Sequence, residues 1–357
     1  MKESFNKARF MSFPRQINLG HNVIETVALY CKEMGLSGTA LVVSGPTTRK
    51  IAGNMVYDQL TDKQFNAHIV ETKVCDQATV DKVESLAKEV GANFLVGVGG
   101  GSKIEITKIA ATNLKMPYVS IPTQAPHDGI GSPRAILYRE GKEHTRASIS
   151  VHMPYAIIAD TAVIKTAPYR TLAAGTADII SNATAVLDWE LARRLTNAEY
   201  SNSAATLSKM TSEVGINYAS FIKRYTEESV YVAVRPILVS GICMSIAGSS
   251  APASGSEHKF AHAIEAMNKS KALHGEIAGV GAIMMMYLHG GDWKRVRTAL
   301  ETLEAPTSAK DLGVAPEDVV LAMTQAAKMK PFRYTILGTT GLTEEAAFQV
   351  ASKTGVV

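Results

Sequence analysis

NFLVGVGGGSKIEITKIAA, residues 93–111, is the stretch on which the fold turns. Residues 93–98 read as a short buried strand, Gly99, Gly100 and Gly101 follow without a spacer, and the remainder reads as a helix. Strand, glycine turn and helix in that order bring free backbone N–H groups and the positive end of a helix dipole to one point, which suits a diphosphate. The pattern is not GxGxxG, because Ser102 stands where the last glycine belongs, and it lacks the GxxxxGK spacing of a P-loop.

The same architecture continues on both sides. Residues 40–44 (ALVVS), 68–71 (HIVE), 117–121 (PYVSI) and 155–159 (YAIIA) are strand-like runs bounded by glycine, proline or polar clusters, and 48–60 and 79–90 carry apolar residues at helical spacing. Strands returning about every 25 residues with helices between them predict a parallel sheet of βαβ units. Residues 134–151 read instead as a β-hairpin turning near Glu140, Gly141 and Lys142. From about Tyr169 onward the pattern is long Ala-rich helices, with amphipathic ones expected near 292–303, 315–328 and 343–352. The expected fold class is therefore an α/β Rossmann-like dinucleotide-binding domain over 1–165 and an all-α domain over 166–357.

Two segments carry the chemistry. IPTQAPHDGIGSP, 121–133, follows a strand, and its prolines, Gly129 and Gly131 predict an ordered loop at the strand's carboxyl end, where open α/β sheets bind ligands; Thr123 and Asp128 are its reactive groups. GSEHKFAHAIEAMNKSKALHGE, 255–276, concentrates three of the chain's 9 histidines. On a helix His258 and His262 share one face, but the 16 residues from His258 to His274 would turn His274 by roughly 160°. A break at the polar residues 268–271 and a second helix opening at Leu273 would let all three meet in one cavity. Two or three imidazoles call for a carboxylate to complete a nitrogen–oxygen metal site. Asp178, Asp188, Glu265 and Glu276 are the candidates, Asp178 lying on a small-residue helix face with Ala174, Ser181, Asn182, Ala185 and Trp189.

Composition narrows the class. A charge of +4 over 357 residues, without a Lys/Arg block, argues against nucleic acid and allows a small anionic ligand. Cys31, Cys75 and Cys243 are odd in number and far apart, which argues against a disulfide framework and fits a reducing cytoplasm. No signal peptide is expected at the N-terminus, and the uncharged run 236–256 reads as a buried helix entering a loop rather than a membrane span.

With these residues in view, the chain resembles the archaeal sn-glycerol-1-phosphate dehydrogenases, in the superfamily of dehydroquinate synthase, glycerol dehydrogenase and iron-containing alcohol dehydrogenase. The resemblance rests on PRQINLG, GVGGGS, IPTQAPHDGIGSP, GTADIISNATAVLDW, SGSEHKFAHAIE and LHGE in that order. It implies a dehydroquinate-synthase-like fold with the active site between the two domains. It further implies Zn²⁺ ligands Asp178, His258 and His274, and substrate contacts from Asp128, His262 and Asp178, with Asp128 and His262 in the catalytic roles and His262 on the phosphate or a nearby oxygen. The cofactor, NAD or NADP, would take Gly99, Gly100, Gly101, Ser102, Lys103, Thr123, Gln124, Ala125, Pro126 and Ser132. Glu105 departs from the aspartate of many relatives' GGGxxxD.

The reaction implied is zinc-dependent, NAD(P)H-dependent reduction of dihydroxyacetone phosphate to sn-glycerol 1-phosphate, the backbone of archaeal ether lipids, by a cytoplasmic homo-oligomer. A glycerol dehydrogenase and a dehydroquinate-synthase-like lyase are the competing readings. The lyase would need more basic side chains near the metal motifs, and Lys259 is the only one in 255–267. Arg49 and Lys50, near the second strand, do not choose between NAD and NADP.

Overall fold

Alternating apolar residues put the strands of this protein in contact with two cores at once. The computed structural model describes residues 10–138 and 146–357. Strands β1 (Gln16–Gly20), β2 (Thr39–Ser44), β3 (Asn66–Glu71), β4 (Phe94–Gly99), β5 (Tyr118–Pro122) and β8 (Ala156–Asp160) form one parallel sheet in the order β3-β2-β4-β5-β8-β1. Along β2, Ala40 and Val42 enter one core and Leu41 and Val43 the other; along β4, Phe94, Val96 and Val98 oppose Leu95. This is the two-residue period of a sheet covered on both faces. Each fully buried Val, Ile or Leu contributes about 1.5–3 kcal/mol, so a polar residue in β2 or β4 would be costly on either face.

The layers come from helices α1 (Val27–Glu33), α2 (Pro46–Thr48), α3 (Asn54–Asp62), α4 (Gln77–Glu89), α5 (Gly101–Leu114) and α6 (Thr161–Ile164). After β3 the chain crosses back to the other side of β2, so the strand order reverses between β2 and β4. Such a reversal opens a crevice at the strands' carboxyl ends, and there the glycine turn after β4 lies. Strands β6 (Arg134–Tyr138) and β7 (Arg146–Ser150) pair antiparallel as the expected hairpin; its turn at Glu140, Gly141 and Lys142 lies outside the described residues.

One strand is not among those expected from sequence. QINLG forms β1 at the sheet edge beside β8, with Ile17 38% exposed. Two apolar residues and a partner far along the chain leave too little local pattern for it to be read.

The remainder is helical: α7 (Tyr169–Thr196), α8 (Asn202–Asn217), α9 (Glu227–Ala247), α10 (Ser256–Met267), α11 (His274–Leu288), α12 (Trp293–Thr302), α13 (Ala309–Leu312), α14 (Pro316–Gln325) and α15 (Glu344–Lys353). Its core is continuous with the sheet, because Ile157 and Ala159 of β8, Ile104 of α5, and Ala125 and Ile130 of the following loop join the cluster built by α7, α9, α10 and α11. Among the described residues α9 alone is long and apolar enough to cross a membrane. Its Val230, Val234 and Ile237 are buried in that shared core.

Glu227, the first residue of α9, clasps this helix to the sheet. It accepts from Lys165 Nζ at 2.8 Å and Thr161 Oγ1 at 2.6 Å, and lies 2.9 Å from His21 Nδ1. The bonds from Lys165, Thr161 and His21 bring its pKa down to about 2. A carboxylate with a depressed folded pKa stabilises above its unfolded value and loses that contribution as pH falls through the folded one. Glu227→Gln should therefore be less stable than the parent at neutral pH, and the gap in denaturant unfolding should close between pH 4.5 and about 2; a gap independent of pH would show that the charge is irrelevant.

Candidate active site

The glycine turn has the expected shape. A Cβ on Gly100 would lie 2.1 Å from Gln124 Nε2, and one on Gly101 2.7 Å from His127 Nε2, so a side chain at either position would obstruct the floor of the cleft. Gly100 precedes α5 with no side-chain cap, leaving the first N–H groups of a 14-residue helix to face a ligand. A cleft of ≈ 450 Å³ runs from this turn to the histidines. Of the expected cofactor residues, Gly100, Gly101, Ser102, Lys103, Gln124, Pro126 and Ser132 line it. Gly99, Thr123 and Ala125 stand behind: Thr123 N–H donates to Gly99 O at 3.0 Å, and Ala125 is in the core.

The histidines meet as the helix break requires. Asn268 ends α10 in the left-handed conformation, φ 52°, and α11 opens at His274, its start fixed by Leu273 N–H donating to Glu276 Oε2 at 2.7 Å. Ring centroids of His258 and His274 are then 4.9 Å apart, and those of His262 and His274 5.6 Å. From α7 comes Asp178, 3% exposed. Ligand atoms of Asp178, His258 and His274 lie within 4.8 Å of one another; His262, Glu265 and His274 form a second such group.

The carboxylates divide by role. Asp188 accepts from Ser256 N–H and Ile336 N–H, each at 2.6 Å, and ties helices together. Glu276 pairs with Arg170 at 2.6 Å. Glu265 lies 2.9 Å from His274 Nδ1 and 3.3 Å from His262 Nδ1, and Glu257 lies 2.8 Å from His258 Nδ1. Carboxylates on the Nδ1 side orient imidazoles and turn Nε2 toward the cavity, the outer-shell arrangement of metal-binding histidines. Asp178 completes the set: its Oδ2 accepts from Asp128 N–H at 3.0 Å, while Oδ1 is buried without a hydrogen-bond partner, 3.5 Å from His258 Nε2.

The position favours positive charge. Burial opposes ionisation of His258, yet the Asp178 and Glu257 carboxylates beside its two ring nitrogens outweigh it and raise its pKa to about 10. Burial likewise works against the Asp178 carboxylate, and the His258 and His274 imidazoles overcome it. Two imidazole nitrogens and an unpartnered carboxylate oxygen form a fitting donor set for zinc.

Asp128 and His262 differ from each other. Burial, then the charge of Asp178, raises Asp128 to about 7 against the hydrogen bond from Ser240 Oγ at 2.7 Å. Ser240 itself accepts from Asn182 Nδ2 at 2.9 Å, so α7 and α9 jointly hold the loop. Burial drives His262 down to about 4, with Lys330 and His274 adding to the effect. The ring is neutral at neutral pH, and with Nδ1–H facing Glu265 its buried Nε2, which has no partner, offers a lone pair.

Four lining or supporting residues escaped the sequence reading. Lys108, wholly buried in α5, donates to Gly129 O, to Ser132 O at 3.0 Å and to Arg134 O at 3.1 Å, pinning the Asp128 loop; burial lowers its pKa to about 8. His127, Arg134 and Lys330 line the cleft. The basic groups missing from 255–267 thus arrive from elsewhere in the chain, and a local count could not find them. Glu105, the departure from the relatives' aspartate, reaches the hairpin and accepts from Ile136 N–H at 3.4 Å.

Comparison with known proteins gives the family and the fold. A family profile described as iron-containing alcohol dehydrogenase matches residues 18–168. The glycerol-1-phosphate dehydrogenase (NAD(P)+) of Methanothrix thermoacetophila is 49% identical over 98% of both chains, and that of Methanothermobacter thermautotrophicus 47% identical over 98% of this chain and 99% of its own. In overall fold the chain is similar to glycerol dehydrogenase from Schizosaccharomyces pombe, TM-score 0.80 at 18% identity, over 98% of this chain and 90% of that one.

Gly275 brings the halves of the metal-ligand group together: a Cβ there would lie 2.1 Å from Ala174 O and 3.0 Å from Asp178 Cβ. Gly275→Ala must push α11 off α7 and should cost about 1–3 kcal/mol in denaturant unfolding. Unchanged stability would show that the α7–α11 seam yields freely.

Proposed function

The chain belongs to the glycerol-1-phosphate dehydrogenase family, and from that membership we propose that it reduces dihydroxyacetone phosphate to sn-glycerol 1-phosphate with NADH or NADPH, at a zinc ion held by Asp178, His258 and His274. The observation that carries the reading is the convergence of that donor set, its imidazoles backed by Glu257 and Glu265, in the same cleft as the glycine turn. The zinc ion supplies Lewis acidity at the ketone oxygen and the reduced nicotinamide supplies hydride.

The chain's own residues orient the reactants. The Gly100–Gly101 backbone and the start of α5 receive the diphosphate, and Ser132 and Pro126 shape the cleft between it and the metal-ligand group. Asp128, tied to Ser240 and to Asp178 through its own N–H, is held where it can orient a substrate hydroxyl and exchange a proton near neutral pH. His262 Nε2, its tautomer set by Glu265, can accept a hydrogen bond from a hydroxyl of the glycerol phosphate, which carries two where the ketone carries one. Cys31, Cys75 and Cys243 are all buried free thiols, which supports a cytoplasmic location. Exposed Phe221, Tyr225 and Tyr231 support self-association as a homo-oligomer.

The test is oxidation of NADH and of NADPH by the purified protein with dihydroxyacetone phosphate, before chelation, after it, and after zinc is restored. Activity should vanish and return with zinc; no turnover by zinc-loaded protein would overturn the substrate. His274→Ala should lose zinc and activity together, and an active, zinc-free variant would sink the ligand assignment.

A further inference from the structure

A phosphorylated substrate needs a cation that the metal-ligand group does not provide. His262 is ill suited to a phosphate: with Nδ1 on Glu265 its Nε2 accepts rather than donates, and a phosphate dianion has only acceptors to offer.

Lys330 faces the same cavity. It lines the cleft beside Ser254, His258, His262 and Glu265, and its charge is felt at His262. Its Nζ has three donors, and among the described residues the single bond it makes is a long one, 3.4 Å to Ser254 Oγ. Among the described residues it forms no ion pair. The neighbouring carboxylates already have partners, Glu257 with His258, and Glu265 with His262 and His274.

Two further cations crowd Lys330. Arg333 donates to Ser254 O, to Ser250 O at 3.3 Å and to Ser250 Oγ at 3.1 Å, fixing the loop beneath the lysine. Arg134, on the wall of the cleft, bonds through its terminal nitrogens to Ser148 and Ser150 and keeps a buried Nε with no partner among the described residues. Burial, with repulsion from Arg333 and Arg134, brings Lys330 down to about 8. Three cations in a partly desolvated wall, with spare donors on two of them, are stabilised by an anion placed among them. Lys103, the other lysine of the cleft, belongs to the glycine turn and donates to Lys73 O at 2.5 Å.

We propose that Lys330, with Arg134 beside it, is the phosphate-binding residue of the substrate site and makes the cleft select a phosphorylated ketone over its unphosphorylated counterpart. The inference rests on the substrate reading above. Zinc-loaded parent, Lys330→Met and Lys330→Arg would be compared with dihydroxyacetone phosphate and with dihydroxyacetone, alongside the KM for NADH. Losing a charge-assisted contact predicts a KM for the phosphorylated ketone raised roughly 10- to 100-fold in Lys330→Met. The same variant should show little change in turnover of dihydroxyacetone or in KM for NADH, and Lys330→Arg should restore most of the loss. An unchanged preference, an equal loss with both ketones, or a raised KM for NADH instead would overturn it.

Calorimetric titration of inorganic phosphate reads the same site without turnover. Binding by the parent that Lys330→Met loses supports the assignment even if the parent fails to reduce dihydroxyacetone phosphate, a failure that would strike the proposed function and not the anion site. Equal binding by parent and variant, or none by either, overturns it.

Discussion

Two carboxylates beside one cleft, Asp178 buried and Asp128 half-buried, govern this structure. Asp128 and Asp178 are linked by the Asp128 N–H, and an unpaired charge on the buried Asp178 would be costly. The fold answers with imidazoles on the Asp178 side and the Ser240–Asn182 relay on the Asp128 side. The environments diverge as a result: Asp178 is held ionised by positive neighbours, while Asp128 is raised toward neutrality. A pair of acids driven apart in this way suits the two to different tasks, as the proposed ligand and proton-exchanging roles require.

Everything that positions the pair is long-range. Gly175 admits the Ala125 carbonyl, from which its Cβ would be 2.0 Å away, so α7 lies directly under the loop after β5. Gly275 lets α11 approach α7 to the same degree. Glu257, which is completely buried, takes Gly255 N–H at 2.6 Å and Thr184 Oγ1 at 2.9 Å besides orienting His258, so one side chain sets the start of α10 and one ring of the site. The reversal of strand order between β2 and β4 then opens the crevice toward this junction.

Legibility in the sequence follows the range of the interactions. Five strands, the hairpin and the change to helices at about Tyr169 were readable because periodicity is local, and so was the break between His262 and His274, since Asn268 is suited to the left-handed turn that ends α10. The edge strand β1 was not, because its pairing with β8 spans most of the sheet-forming chain. Among the four acids open to a metal, spacing does not decide; Glu276 is taken up by Arg170 and Asp188 by Ser256 and Ile336, contacts far along the chain that no local pattern shows. Lys108 and Lys330 carry no motif at all. A lysine that satisfies backbone carbonyls, or waits with spare donors in a cleft, is identified only by what surrounds it.

Where a metal binds is decisive, since the two candidate groups share His274 and differ in every other ligand. The direct measurement is diffraction from zinc-loaded crystals on both sides of the zinc absorption edge. A single anomalous peak contacted by Asp178, His258 and His274 is the predicted result. A peak held by His262, Glu265 and His274, or no peak in protein that reduces dihydroxyacetone phosphate, would contradict it.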